Sequence, residues 1–189
     1  MHHGEPSAEE LPHQFSLRMR SGRSCVDFVN TGQWMVLFHA VADVERWLPL
    51  VVGVPAVEAT SNDVGRVVQL RRAMLECVEA TIAGDPLPPA ALRRLNAAAA
   101  LPPLVPQLST NGDAELLPAS VSQVLATLAR DLIDLVAGPF ADRIRQCASD
   151  DCTLYLVDTS RPNQRRWCSM ELCGNRSKLR DFRERQRSC

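Results

Sequence analysis

The sequence lacks the motifs by which several enzyme classes are recognised. Its 189 residues contain no glycine-rich phosphate loop, no HExxH helix and no GxSxG turn. Its longest apolar stretch, WLPLVVGVPAV, is broken by Pro49, Gly53 and Pro55 and is too short to span a bilayer. We therefore expect a cytoplasmic protein with no membrane segment and no enzymatic activity.

The N-terminal stretch of the sequence does not resemble a secretory signal. The stretch MHHGEPSAEELPHQF has no basic start followed by an apolar run, and we expect residues 1–13 to form a disordered tail. Disulfide frameworks are uncommon in a reducing compartment, and the odd count of seven cysteines does not favour one. Cys25 and Cys77 are expected in the apolar core, and Cys189 as a free thiol.

Four of the cysteines follow a regular spacing. Two CxxxxC pairs, separated by 15 residues, consist of Cys147 with Cys152 and Cys168 with Cys173. Two such pairs can converge on one tetrahedral ion, so the spacing predicts one structural Zn²⁺. The alternatives are two buried pairs or a thiol switch. Four thiolates would leave no open position for a catalytic water, which argues against a zinc enzyme.

The residues around these cysteines predict a small zinc finger at 143–189. TLYLVD at 153–158 and RRWC at 165–168 are expected to form a hairpin across the turn TSRPNQ. A helix should begin near 172–175 and run to about Arg187, because SKLRDFRERQR has no Gly or Pro. Knuckle, hairpin and helix together correspond to a treble-clef-like finger. We expect Gly174 to supply an unusual backbone shape.

Residues 173–176 read CGNR, and from these residues the chain resembles the CGNR zinc finger proteins. The similarity extends through LVDTSRPNQRRWCSMELCGNRSK. CVDFVNT at 25–31 resembles a stretch of the ABATE domain, which precedes the finger in that family and is described as a stress-induced transcription regulator. The resemblance implies a zinc-binding transcription regulator whose partner is double-stranded DNA.

The charge distribution is compatible with such a partner. The chain has a net charge of −1, but residues 143–189 hold 11 basic and 6 acidic residues, a net of +5, which leaves −6 on residues 1–142. Four thiolates and Zn²⁺ add −2, so the finger keeps +3. The predicted DNA-binding side chains are one helical row and a pair before it: Arg176, Arg180, Arg183 and Arg187, with Arg165 and Arg166.

Two other interpretations of these arginines stay open. The row could be an ordinary solvated face, or Arg165, Arg166 and Arg176 could serve the zinc-bound sulfurs. Beside the row, Leu172, Leu179 and Phe182 are expected to pack on the hairpin.

Residues 14–138 are expected to form a mainly helical α+β domain with one or two hairpins. FSLRMR at 15–20 alternates apolar and polar residues, and SGRS then turns the chain into CVDFVNT at 25–31, so these stretches are predicted to form a first hairpin. Asn111–Gly112 could close a second hairpin. Helices are predicted near 38–50, from a cap at Ser61 to a stop at Gly84, at 88–100, and near 119–137. Gly138–Pro139 should mark the domain boundary.

A polar cluster in this domain suggests a small-molecule pocket. Asp27, Asn30, Thr31 and Trp34 could line it, although a polar turn after a strand explains the same residues. The N-terminal domain would then sense an effector or form a homodimer while the finger binds DNA. The alternative is a ligand- or protein-binding module with purely structural zinc and no bound nucleic acid.

Overall fold

The structure, a computed structural model, describes residues 21–34 and 38–187, except the side chains of Trp34, Asp181, Glu184, Arg185 and Arg187. The predicted tail, the strand at 15–20 and Cys189 lie outside these residues. The helices are α1 (Ser24–Thr31), α2 (Val41–Val52), α3 (Ser61–Ala83), α4 (Pro89–Ala99), α5 (Val121–Ala137) and α6 (Asn175–Arg187). The strands are β1 (Val57–Glu58), β2 (Gln107–Leu108), β3 (Ala114–Glu115), β4 (Ala119–Ser120), β5 (Ile144–Gln146) and β6 (Tyr155–Val157). The predicted α+β class is confirmed.

Helix α1 occupies the stretch that the sequence predicts as a strand, so the first hairpin is wrong in its second half. Residues Cys25–Thr31 are all buried, and α1 contacts α2, α3, α5 and β6. A short helix that is enclosed on every side has no polar stripe, and its apolar run cannot be told from a buried strand by periodicity. Asp131 of α5 accepts the Cys25 N–H at 2.8 Å and pairs with Arg23, which fixes where α1 begins.

Helices α2 to α5 confirm the four other predicted stretches of the N-terminal domain to within a few residues. Helix α3 is capped by Thr60 instead of Ser61, because the Thr60 N–H donates to Asp63 Oδ2 at 2.9 Å. The helix stops at Gly84, which has a left-handed φ of 73°. Cys25 and Cys77 are buried among these helices as expected.

Short strands lie in the loops between the helices and pair with one another. Strands β1 and β4 pair in parallel with Val57 opposite Ala119, directly before α3 and α5. Strands β2 and β3 form the predicted second hairpin, where Gly112 takes a φ of 84° in the turn. Within the described residues, no helix has both the length and the apolar character needed to cross a membrane.

The C-terminal hairpin uses a different strand from the one predicted. Strand β6 pairs antiparallel with β5, with Arg145 opposite Leu156, so the first cysteine pair lies in the loop of the hairpin. The expected return strand at 165–168 is wrong. The main chain of this segment makes other hydrogen bonds instead. The Arg165 N–H donates to Asp158 at 2.7 Å, and the Arg166 carbonyl accepts from the Ala148 N–H at 2.8 Å.

Strand β6 belongs to two hydrophobic cores at once. Tyr155 and Val157 pack into the core of the helical domain, whereas Leu154 and Leu156 pack with the cysteines. Alternate residues of a strand point to opposite faces, so one strand can form the wall between both cores. The predicted boundary at 138–143 is therefore followed by a strand pair that the helical domain itself contacts.

The apolar stripe predicted on α6 is only partly buried. Leu172 packs against the cysteine cluster, but Leu179 is 56% exposed and Phe182 is 52% exposed. Leu179 and Phe182 are absent from the cysteine core, which includes Leu172 before the start of α6. The expected packing of Leu179 and Phe182 on the hairpin is thus wrong.

Candidate metal centre

The four spaced cysteines meet at one point of the C-terminal module. Cys147 follows β5, Cys152 lies in the next tight turn, Cys168 precedes the helical segment, and Cys173 lies in a wide turn of helix, Met170–Gly174. Ser169 caps this turn, since its Oγ accepts the Leu172 N–H at 3.4 Å. The four sulfurs all lie within 4.8 Å of one another.

This sulfur cluster has the dimensions of a tetrahedral zinc site. Zn–S bonds of about 2.3 Å imply sulfur–sulfur edges of about 3.8 Å in a tetrahedron. The Sγ atoms of Cys152 and Cys168 are 3.8 Å apart, and those of Cys168 and Cys173 are 3.5 Å apart. The Cys168 N–H also points at the Cys147 Sγ at 3.4 Å, as main-chain donors do around bound thiolates. The donor set therefore fits one Zn²⁺, which would stabilise the fold of this module.

Hydrogen bonds couple the cysteine thiols to one another and to a neighbouring arginine. A hydrogen bond from Cys168 lowers the pKa of the Cys152 thiol to about 5, and the same contact raises the pKa of Cys168. The Arg176 guanidinium donates from Nη2 to Cys173 Sγ at 3.3 Å, and this bond raises the pKa of Arg176. Arg176 thus faces the sulfurs, one of the two roles that the sequence left open.

The first half of the arginine row is paired within the finger. Arg180 Nη1 lies 3.0 Å from Asp150 and 3.6 Å from Asp151, and Arg176 lies 3.7 Å from Asp151. These two aspartates are not among the site residues predicted from the sequence, although Asp150–Asp151 directly precedes Cys152 and could have been recognised as a counter-charge. Arg183 is exposed, and the side chain of Arg187 lies outside the described part of the chain.

Arg165 holds the main chain that carries Cys168. Its Nε donates to the Trp167 carbonyl at 3.1 Å and its Nη2 to the Cys168 carbonyl at 2.7 Å. Asp158 is fully buried beside it and accepts from the N–H and hydroxyl of Ser160 as well as from Arg165. Arg165 and Asp158 therefore position the second cysteine pair. Arg166, by contrast, is exposed and lies over the Trp167 ring at 4.9 Å.

Gly174 allows a close approach instead of an unusual backbone shape. It lies in the wide helical turn, and a Cβ there would come 2.6 Å from the Met170 Sδ and 3.2 Å from the Trp167 Cδ1. The expectation of a special backbone conformation is replaced by this packing.

Among the residues predicted to line a small-molecule pocket, Asn30 instead links α1 to the shared strand β6. Asn30 is buried and makes two hydrogen bonds of 2.9 Å with the main chain of Tyr155, from its Nδ2 to the carbonyl and to its Oδ1 from the N–H. Asp27 accepts the Ser21 N–H at 3.0 Å, and burial raises its pKa to about 6. Thr31 donates to the Phe28 carbonyl at 2.6 Å.

These contacts leave the predicted pocket without the three polar side chains that it needs. Asp27, Asn30 and Thr31 face protein atoms, and the side chain of Trp34 lies outside the described residues. Tyr155 also links β6 to α3, because its hydroxyl donates to Glu79 at 2.9 Å. Tyr155 could not be predicted as a site residue from the sequence, because its partners are 76 and 125 residues away along the chain.

Two family models match the chain in succession. The ABATE model, described as "Putative stress-induced transcription regulator", matches residues 22–139, which is more than half of the chain. The CGNR zinc finger model matches residues 143–186 and includes all four clustered cysteines. The chain belongs to the ABATE family. In this ABATE protein the CGNR finger begins at the 3₁₀ turn Ala141–Arg143 that leads into β5. No curated protein is similar enough to the chain to count as a match.

Proposed function

We propose that this ABATE protein is a transcription regulator whose CGNR finger binds double-stranded DNA. The observation that carries the proposal is the pairing state of the basic residues in the finger. Five have partners inside the module, namely Arg143, Arg145, Arg165, Arg176 and Arg180. Four others are exposed and form no ion pair with a described residue, namely Arg161, Arg166, Lys178 and Arg183.

Exposed cations without an ion-pair partner among the described residues are available for phosphates. Each phosphate contact releases counterions from DNA and contributes favourable free energy, whereas a cation that already has a carboxylate partner must first give up that partner. The rest of the chain carries −6, so attraction to DNA would be confined to the finger and would orient it toward the duplex. Zinc would serve as a structural ion, because all four of its positions are taken by cysteine.

The test is selection of bound duplexes from a random pool, followed by anisotropy titration of the enriched duplex at several salt concentrations. Four phosphate contacts predict a slope of log K against log salt near −3.6, and about a hundredfold loss of affinity between 50 and 200 mM salt. The metal-free Cys168→Ser variant should enrich nothing. If no duplex is enriched over the starting pool, and duplex binding does not change with salt concentration, the proposal is rejected.

A second candidate function is a protein- or ligand-binding module in which the finger never meets nucleic acid. The ion pairs of Arg176 with Asp151 and of Arg180 with Asp150 favour this second candidate, since half of the arginine row is already neutralised. Exposed ion pairs of this kind are weak, so a phosphate could still displace an aspartate. Thermal stabilisation by a metabolite, or a stable partner in the absence of DNA, would support this candidate over the first.

The helical domain would then provide regulation, by forming a homodimer or by binding an effector. Sedimentation of the zinc-loaded chain with and without duplex would distinguish a dimeric from a monomeric regulator. A dimer is expected to protect two half-sites related by two-fold symmetry.

A further inference from the structure

One groove of the finger has a surface suited to a nucleic-acid strand. It lies between residues 160–171 and the first turns of α6, and it encloses about 710 Å³. We propose that this groove binds the sugar–phosphate backbone of the DNA, a proposal that rests on the DNA binding proposed above. It moves the principal contact surface from the Arg176–Arg187 row to the opposite side of the helix.

The floor of the groove is apolar and its position is fixed by packing. Trp167 is half-buried and Met170 is 51% exposed, and both lie against Gly174, where there is no Cβ to keep them away. Gly174 and Cys173 belong to the same helical turn, so the zinc site and the floor are held by one element. The floor is therefore formed only when the finger is folded.

The rim of the groove carries positive charge. Arg166 and Lys178 are exposed on it, and neither forms an ion pair with a described residue. Arg165 also lines the groove, but its guanidinium is held by the carbonyls of Trp167 and Cys168. Glu171 is the carboxylate among the described lining residues. Two available cations against one carboxylate favour an anionic occupant.

A sugar–phosphate backbone matches both floor and rim. The backbone of a duplex is a convex ridge in which apolar deoxyribose alternates with charged phosphate, and much of the contact between proteins and DNA is made to it. A concave groove cannot enter the major groove of DNA, but it can receive this ridge. Met170 and Trp167 would contact sugars, while Lys178 and Arg166, whose guanidinium lies over the Trp167 ring, pair with the flanking phosphates.

The experiment compares the two basic surfaces on the zinc-loaded full chain. Arg166→Gln and Lys178→Gln test the groove, and Arg180→Gln tests the paired row. Arg93→Gln, an exposed arginine of α4, is the matched control for loss of one surface charge. Each groove variant should flatten the salt slope by about 0.9 and weaken binding about fivefold at 0.15 M salt, relative to 1 M where the ionic contribution vanishes.

A further variant tests the apolar floor. Met170→Ser should weaken duplex binding by a similar factor at every salt concentration and leave the slope unchanged, since it removes contact area and no charge. Zinc stoichiometry is measured for each variant, so that a misfolded finger is recognised and replaced by a Met170→Leu comparison. A flattened slope for Met170→Ser would contradict its placement against a sugar.

The outcomes separate this proposal from the function on which it rests. Loss of affinity in Arg180→Gln alone, with both groove variants unaffected, would overturn the groove and leave DNA binding intact. Absence of duplex binding by the parent chain would overturn both. If polyglutamate binds in place of DNA, and the groove variants weaken that binding, the groove takes an acidic protein segment and the proposal is wrong.

Discussion

Asn30→Ala should destabilise both halves of the molecule, because the Asn30 side chain hydrogen-bonds to the edge of β6 that faces away from β5. In the hairpin, β6 turns the main-chain groups of Leu154 and Leu156 toward β5, and those of Tyr155 toward α1. The Asn30 carboxamide satisfies both the N–H and the carbonyl of Tyr155, each at 2.9 Å, and its side chain is 1% exposed. Alanine would leave both main-chain groups buried without a partner.

The magnitude follows from these two groups. A buried donor or acceptor without a partner costs about 1–3 kcal/mol, so two cost about 2–6 kcal/mol. The lower part of that range applies if a water enters the space left by the carboxamide, so we expect a loss of about 3 kcal/mol in the free energy of unfolding. Asn30→Asp keeps an acceptor for the Tyr155 N–H but sets a carboxylate against the Tyr155 carbonyl, and should be at least as costly.

Urea unfolding at fixed zinc concentration, monitored by circular dichroism, gives the free energy of unfolding, and a chromophoric zinc indicator gives the rate of zinc release. The control is Asn96→Ala, an exposed asparagine of α4, which should change stability by less than about 0.5 kcal/mol. Faster zinc release from Asn30→Ala is expected because β6 is shared by both cores. The reasoning fails if Asn30→Ala and Asn96→Ala have equal stability.

Three further predictions concern the zinc site, a buried carboxylate and two glycines. Cys168→Ser should lower zinc below one equivalent and also lower the melting temperature of the helical domain. Burial raises the pKa of Asp27 to about 6, so between pH 4 and 6 the folded state keeps a proton that the unfolded chain loses, and stability falls as pH rises. Asp27→Asn keeps an acceptor and should gain up to about 3 kcal/mol over the parent at pH 7, but little at pH 4. Gly138→Ala should cost about 2 kcal/mol, because its Cβ would overlap the Asp134 carbonyl oxygen, whereas Gly65→Ala has open space and should gain up to about 1 kcal/mol.

Each of these has a measurement and a contrary outcome. The zinc content of Cys168→Ser, measured by atomic absorption, is compared with that of Cys77→Ala, which changes a buried cysteine outside the cluster. A full equivalent of zinc in Cys168→Ser would show that Cys168 is not a ligand. For Asp27, a stability difference that is constant from pH 4 to 7 would mean that its pKa is not raised. For the glycines, equal melting temperatures of the two alanine variants would contradict the packing around Gly138.

The local parts of this fold could be predicted from sequence. The amphipathic helices α2, α3 and α5 follow from their periodicity and caps, and the β2–β3 turn follows from Asn111–Gly112. The zinc ligands follow from spacing, since two equal CxxxxC pairs limit where four sulfurs can meet. Helix α1 could not be predicted in this way, because its burial on every side removes the periodicity by which a helix is recognised.

The sequence by itself determined the cysteine cluster, the charge difference between the two halves and most of the helices. Only the tertiary structure decided what the polar residues do. Asn30 hydrogen-bonds to Tyr155, which is 125 residues away along the chain, and Asp150 and Asp151 form ion pairs with the first two arginines of the row. The physical reason is that spacing and periodicity report neighbours along the chain, whereas a buried amide or an ion pair is satisfied by whichever group the fold brings within about 3 Å.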